Sequence, residues 1–144
     1  MVFRLMILVL SVLHMCSCKS SKPVFNPDDT KKDFLIFGNG GGFTGQVTKY
    51  YLTKDGDVYQ QSGDTTELRG TVIKSVSAQI FTNFNSLGLN QLSINEPGNR
   101  YFFVELKEGN SKVSLTWGKE PLGNKNLEIF YKVLMNSVKS LNQE

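Results

Sequence analysis

Two rhythms of apolar and polar residues run along this chain, and the switches between them outline its elements. Asp33–Gly38 (DFLIFG) is a short apolar run that reads as a strand, and Thr44–Thr53 (TGQVTKYYLT) is rich in β-branched and aromatic residues. Asp57–Ser62 (DVYQQS) follows across Asp55-Gly56, the strongest short hairpin signal. A further strand is expected around Thr66–Ile73, weakened by Gly70. The period then lengthens. Ile80, Phe81, Phe84 and Leu87 fall on one helical face, with Ser75 or Ser77 to cap its start and Gly88 to stop it. Arg100–Lys107 (RYFFVELK) and Ser111–Trp117 (SKVSLTW) return to strand character around Glu108-Gly109-Asn110, after a type II turn expected at Pro97-Gly98-Asn99. Last, Leu127, Phe130, Tyr131, Leu134, Val138 and Leu141 recur at three- and four-residue steps, the mark of a helix with one apolar face.

An apolar helix face has to be covered, and the sheet is the available cover. The order of strands, helix, hairpin, helix predicts an α+β fold of two layers: a mainly antiparallel sheet (two hairpins) with two helices packed on one face. This single domain is expected over 33–144, a size that supports its own core.

The segment before residue 33 follows neither rhythm. Met1–Arg4 carry one positive charge, and Leu5–Leu13 form an apolar run broken only by Ser11. At ~1.5 Å per residue that run covers roughly 14 Å as a helix, less than half of a bilayer core. A removable signal peptide over 1–17 is the expectation. LHMCSCKSSKP follows, with cysteines at 16 and 18. It resembles the lipobox of bacterial lipoproteins: an apolar residue, two smaller ones, then the cysteine that carries diacylglyceryl and begins the mature chain. Ser17 supplies the small residue before Cys18, whereas bulky Met15 precedes Cys16, so the resemblance assigns lipidation to Cys18. The alternatives are a conventional cleaved signal and an uncleaved anchor.

The modification of that family supplies two or three acyl chains, and two hold a protein stably where one does so only marginally. Residues 18–32 then form a lipidated tether, polar and carrying Pro23 and Pro27. It reaches about 50 Å at full extension and about 20 Å on average as coil. Lys19 after the lipidated cysteine is no strong inner-membrane retention signal, which favours the outer membrane of a Gram-negative bacterium.

Composition narrows the chemistry. The chain holds one histidine, His14, and two cysteines, and cleavage before Cys18 removes His14 and Cys16. A mature domain without histidine or free thiol has no His/Cys zinc site, no Ser-His-Asp triad, no cysteine nucleophile and no disulfide. Neither a metal nor a cofactor is expected. Lys and Arg number 16 against 13 Asp and Glu, a net charge of +3 without a basic block, so nucleic acid is not an expected partner. A histidine-independent hydrolase would need paired carboxylates. Its candidates, Asp55 and Asp57 at a hairpin tip and Asp28-Asp29 in the tether, sit where solvated turn residues are the ordinary occupants.

Gly38–Val47 (GNGGGFTGQV) matches the glycine fingerprint G-x-G-x-x-G at Gly40, Gly42 and Gly45. A dinucleotide site needs a helix after those glycines, and the residues that follow, QVTKYYLT, read as strand. A kinase needs a lysine strand, an H-R-D loop and a D-F-G segment, and a Walker loop needs G-K-[ST]; the sequence has none of them. No nucleotide is therefore expected. Two readings remain. The glycines build a tight strand connection, or they form a binding loop with exposed N–H groups and one projecting aromatic, Phe43. If Lys107 or Glu108 pairs with Ser111, Tyr101 lies opposite Trp117 or Gly118, and the strand ends gather should the two hairpins align. Gly41, Gly42, Phe43, Asn99, Arg100 and Trp117 then form a candidate binding rim, or Trp117 belongs to the core.

FGNGGGFTG, EPGN and TWG, spread over nearly the whole domain, look like segments of a group of small envelope lipoproteins. GGFTG also resembles the G-G-F-x-G segment of emfourin-type inhibitors of thermolysin-like metallopeptidases. These resemblances imply a non-enzymatic, lipid-anchored binding module of the cell envelope with a protein partner, a protease inhibitor in the narrower version. The alternatives are a carboxylate-based envelope hydrolase and a purely structural envelope protein.

Overall fold

The computed structural model describes residues 25–28, 31–118 and 123–141. The expected signal peptide, Cys18 and Asp29 lie outside these residues. Among the described residues seven strands form one sheet: β1 (Phe34–Gly41), β2 (Thr48–Thr53), β3 (Asp57–Ser62), β4 (Thr65–Thr71), β5 (Asn95–Glu96), β6 (Arg100–Glu108) and β7 (Ser111–Gly118). Their order is β4-β3-β2-β1-β6-β7-β5. All pairs are antiparallel except the two-residue β5, which runs parallel to β7. Helices α1 (Lys74–Ser86) and α2 (Lys125–Leu141) share one face of this sheet. The architecture is the expected two-layer α+β fold.

Strand alternation decides what each side chain meets. In β1, Leu35 and Phe37 belong to the core under the helices, while Phe34 and Ile36 belong to a separate cluster on the opposite face. Leu52, Val104, Leu106 and Leu115 extend the helix-side layer, and α2 closes it with Leu127, Phe130, Leu134 and Val138. Burying each such side chain contributes about 1.5–3 kcal/mol. The second hairpin pairs Glu108 with Ser111 and Tyr101 with Gly118, one of the two registers expected. Asn124 caps α2, its Oδ1 accepting the Leu127 N–H at 3.1 Å.

Three local expectations are corrected. Helix α1 begins after Ile73 with no side-chain cap, so neither Ser75 nor Ser77 plays that part. Ser77 lies within the helix, facing the sheet, and its buried hydroxyl donates to the Thr53 carbonyl at 2.8 Å. A buried hydroxyl has to find an acceptor, and the end of β2 provides one. Gly88 does follow the end of α1, but Leu87 stays exposed and the buried place is taken by Leu89. Pro97-Gly98-Asn99 is not a type II turn, because Gly98 is not among the positive-φ residues that turn requires. The preceding β5 is held extended along β7, with Glu96 paired to Trp117, and this brings Gly98 against Gly118.

Phe25, within the expected tether, is 7% exposed. Its ring stacks on Tyr59 with centroids 4.5 Å apart and meets Phe34 edge-on at 5.5 Å. The Thr66 hydroxyl donates to the Phe25 carbonyl. The helix-free face carries Phe34, Tyr51 and Tyr59, and a nearby apolar ring that covers them removes both partners from water. The packed domain therefore includes Phe25.

Two stability predictions follow from these contacts. Ser77→Ala removes a buried hydroxyl bond and should cost about 1 kcal/mol in denaturant unfolding. Burial pushes the Tyr51, Tyr59 and Tyr131 hydroxyls above their ordinary pKa of 10.0. The unfolded chain then releases these protons first, so their contribution is whole below pH 10.0 and is lost as pH rises beyond it. Tyr131→Phe removes the hydroxyl that donates to the Gly38 carbonyl at 3.0 Å. It should cost about 1 kcal/mol at neutral pH and reduce the alkaline loss in unfolding curves taken between about pH 8 and 11.

Candidate functional site

The glycine stretch is strand first and loop second. Gly38 to Gly41 remain in β1, paired with β6 from Phe103 to Arg100. The chain leaves the sheet at Gly41 and Gly42, with φ of 85° and 77°, where the Gly42 N–H donates to the Asn99 carbonyl at 2.7 Å. A turn follows, closed by the Gly45 N–H on the Gly42 carbonyl at 3.2 Å. Phe43 and Thr44 occupy its two central positions, and the Phe43 ring is fully exposed. Arg100 lies alongside, its Nε 3.5 Å from where a Cβ on Gly42 would stand. The geometry thus brings Gly41, Gly42, Phe43, Asn99 and Arg100 to one end of the sheet.

Trp117 is not with them. It is 5% exposed, edge-on to Tyr131 at 5.3 Å and 86°, and close to Phe102 at 6.0 Å. The register explains this. With Phe102 opposite Trp117, alternation sends both rings to the helix side together with Leu115. Trp117 supports the end of the sheet from within the core and does not reach the rim.

A second feature opens on the helix-free face. Where the Phe25 segment stops, the sheet leaves a trough of about 650 Å³ whose lining includes Pro27, Asp28 and Val47. Along β1 the side chains facing it shrink from Phe34 and Ile36 to Gly38 and Gly40. A Cβ on Gly40 would stand 2.6 Å from the Tyr101 hydroxyl, and one on Gly38 would stand 3.0 Å from the Phe103 ring and 1.9 Å from the Thr48 carbonyl oxygen. The glycines let these two aromatic rings lie over bare backbone, with centroids 6.2 Å apart. Lys49, Lys107, Lys112, Ser114 and Thr116 complete the lining. Lys112 bonds Glu105 at 2.9 Å, and Lys107 sits 5.0 Å over the Phe34 ring.

The sequence reading missed this face. Its signal was in RYFFVELK, where Tyr101 and Phe103 occupy the alternate positions to Phe102, Val104 and Leu106. A strand apolar on both sides needs cover, or a ligand, on both.

The carboxylates considered for acid–base work lie in turn contacts. Asp55 bonds Lys74 at 2.8 Å with Lys32 at 3.7 Å, and the Lys74 hydrogen bond and charge, then Lys32, hold its carboxyl below the usual range. Asp57 Oδ1 accepts the Thr71 hydroxyl at 3.0 Å. Among the described residues no cluster of three His, Cys, Asp or Glu is placed to hold a metal ion, and no helix is long and apolar enough to cross a membrane.

No protein-family model and no curated protein matches this chain. What the site can do follows from its own groups. A turn fixed by main-chain hydrogen bonds, presenting one aromatic ring beside a cation, is suited to insertion into an apolar pocket of another molecule. Phe43→Ala and Asn99→Ala should each leave stability within about 0.5 kcal/mol of wild type. Gly41→Ala, whose Cβ would stand 2.1 Å from the Asn99 carbonyl oxygen at positive φ, should lose about 2 kcal/mol or more, with thermal unfolding of all three variants as the check.

Proposed function

We propose that the protein is a non-enzymatic binding module of the cell envelope, held by lipid on Cys18 to the outer membrane of a Gram-negative bacterium, and that it engages a protein partner through the glycine loop. The observation that carries this reading is the fully exposed Phe43 on a turn anchored to Asn99. The ring makes no contribution to the core, and its backbone support reduces the entropy lost when a partner encloses it. The lipobox supports the anchored location. Docking of Phe25 adds a constraint: the chain between Cys18 and Phe25 spans at most about 25 Å, so the domain is held close to the lipid surface.

A peptidase inhibitor is the narrower form of the same reading. It is favoured by the exposed Phe43 on a glycine-flanked turn together with the resemblance of GGFTG to the G-G-F-x-G segment of those inhibitors. Mass spectrometry of the mature N-terminus should find acylated Cys18; an unmodified N-terminus at another residue would overturn the anchor. Affinity capture from solubilised envelopes should recover a partner with wild type and lose it with Phe43→Ala. For the inhibitor form, titration of thermolysin should give stoichiometric inhibition that Phe43→Ala abolishes, and undiminished activity at saturating protein would eliminate it.

A further inference from the structure

The covered part of the helix-free sheet face shows how that face takes up a peptide. Around Phe25 the Tyr59 ring stacks at 17°, Phe34 and Tyr51 close the sides, and a threonine hydroxyl reaches the peptide carbonyl. Main-chain pairing is not the means, because β1 and β2 already bond to strands on both sides. Recognition on such a face rests on side chains.

The uncovered part offers the same kinds of group immediately beside it. Tyr101 and Phe103 form an aromatic floor over Gly40 and Gly38. Ser114 and Thr116 stand next to the floor on β7, opposite Glu105 and Phe103, with hydroxyls bonded to none of the described residues. Pro27 and Asp28 of the docked segment are the shared wall. Lysines outnumber carboxylates in the lining: Lys49, Lys107 and Lys112 against Asp28 and Glu105, with Glu105 held by Lys112. Lys49 has no ion-pair partner among the described residues.

We propose that this trough is a docking groove for an extended acidic peptide segment bearing an aromatic side chain, seated alongside the chain's own Phe25 segment. The incoming ring packs on Tyr101 and Phe103, its neighbouring carbonyls accept from Ser114 and Thr116, and a carboxylate meets Lys49. Continuity with the Phe25 contact and the lysine excess both favour this occupant. It depends neither on the lipid nor on Phe43, which lies on the loop beyond the trough.

The test uses the full chain in detergent and a fluorescein-labelled probe peptide, VFNPDD, which copies residues 24–29. Fluorescence anisotropy should show saturable binding to the intact protein, weakening as salt is raised. Binding should fall at least about tenfold, or 1.4 kcal/mol, with VANPDD as probe, with Lys49→Glu, and with Ser114→Trp. Ser114 is exposed on β7, so the tryptophan fills the trough without entering the core, and an unchanged melting temperature confirms the fold. The proposal is overturned by an absence of saturable binding, or by variants that bind as wild type. Binding that appears only in Phe25→Ala would overturn it too, since the probe would then merely replace the native segment. Tighter binding of tetragalacturonic acid at the same residues would assign the trough to a glycan instead.

Discussion

Strand β1 is hydrogen-bonded along both edges, to β2 on one side and β6 on the other, and its side chains taper along the face away from the helices. Each main feature of the domain depends on that combination. At its wide end, Phe34 and Ile36 give the helix-free face an apolar patch that Phe25 covers. At its narrow end, Gly38 and Gly40 leave room for Tyr101 and Phe103 to lie across the strand. On the opposite face the Gly38 carbonyl accepts the Tyr131 hydroxyl, so α2 is tied directly to the strand it covers. The glycines therefore set close approach within the sheet before they shape any loop.

The two faces of the sheet meet different requirements. The helix side is a continuous apolar layer whose members exclude water and need no directional partner, apart from Ser77 and Tyr131, which both bond strand carbonyls. The opposite side mixes rings, lysines, hydroxyls and carboxylates, and the segment leading from the proposed lipid attachment crosses only part of it. In the proposed envelope setting this matters geometrically. If the lipid is attached as proposed, a tether that docks by Phe25 shortens the free chain between the lipid and the domain.

Most of the fold was legible because its signals are local. Alternation in RYFFVELK and SKVSLTW, the three- and four-residue spacing from Leu127 to Leu141, and the Asp55-Gly56 and Gly109-Asn110 turns each act over a few residues. Three of the misreadings involve long-range contacts. Ser77 looked like a cap because capping is read from position alone, yet its acceptor, Thr53, is distant in sequence. Pro97-Gly98 looked like a turn because the pairing of β5 with β7 leaves no local mark. Phe25 looked like part of a free tether because its neighbours are polar, while its partners lie on β1, β2 and β3.

The candidate rim divides in the same way. The turns set the register within each hairpin, but Gly41, Gly42, Phe43, Asn99 and Arg100 gather because β1 pairs along β6 with Gly41 opposite Arg100, a contact between segments far apart in the chain. By itself the sequence determined the α+β class, the order of elements, the strand rather than helix after the glycines, and the resemblance to a lipobox around Cys18. These follow from periodicity, turn chemistry and short motifs. Only the tertiary structure decided that Trp117 is core, that Phe25 docks on the sheet, and that Tyr101 and Phe103 floor an open trough. The reason is that a side chain's face depends on register and on what covers that face, and both are set by residues far away along the chain.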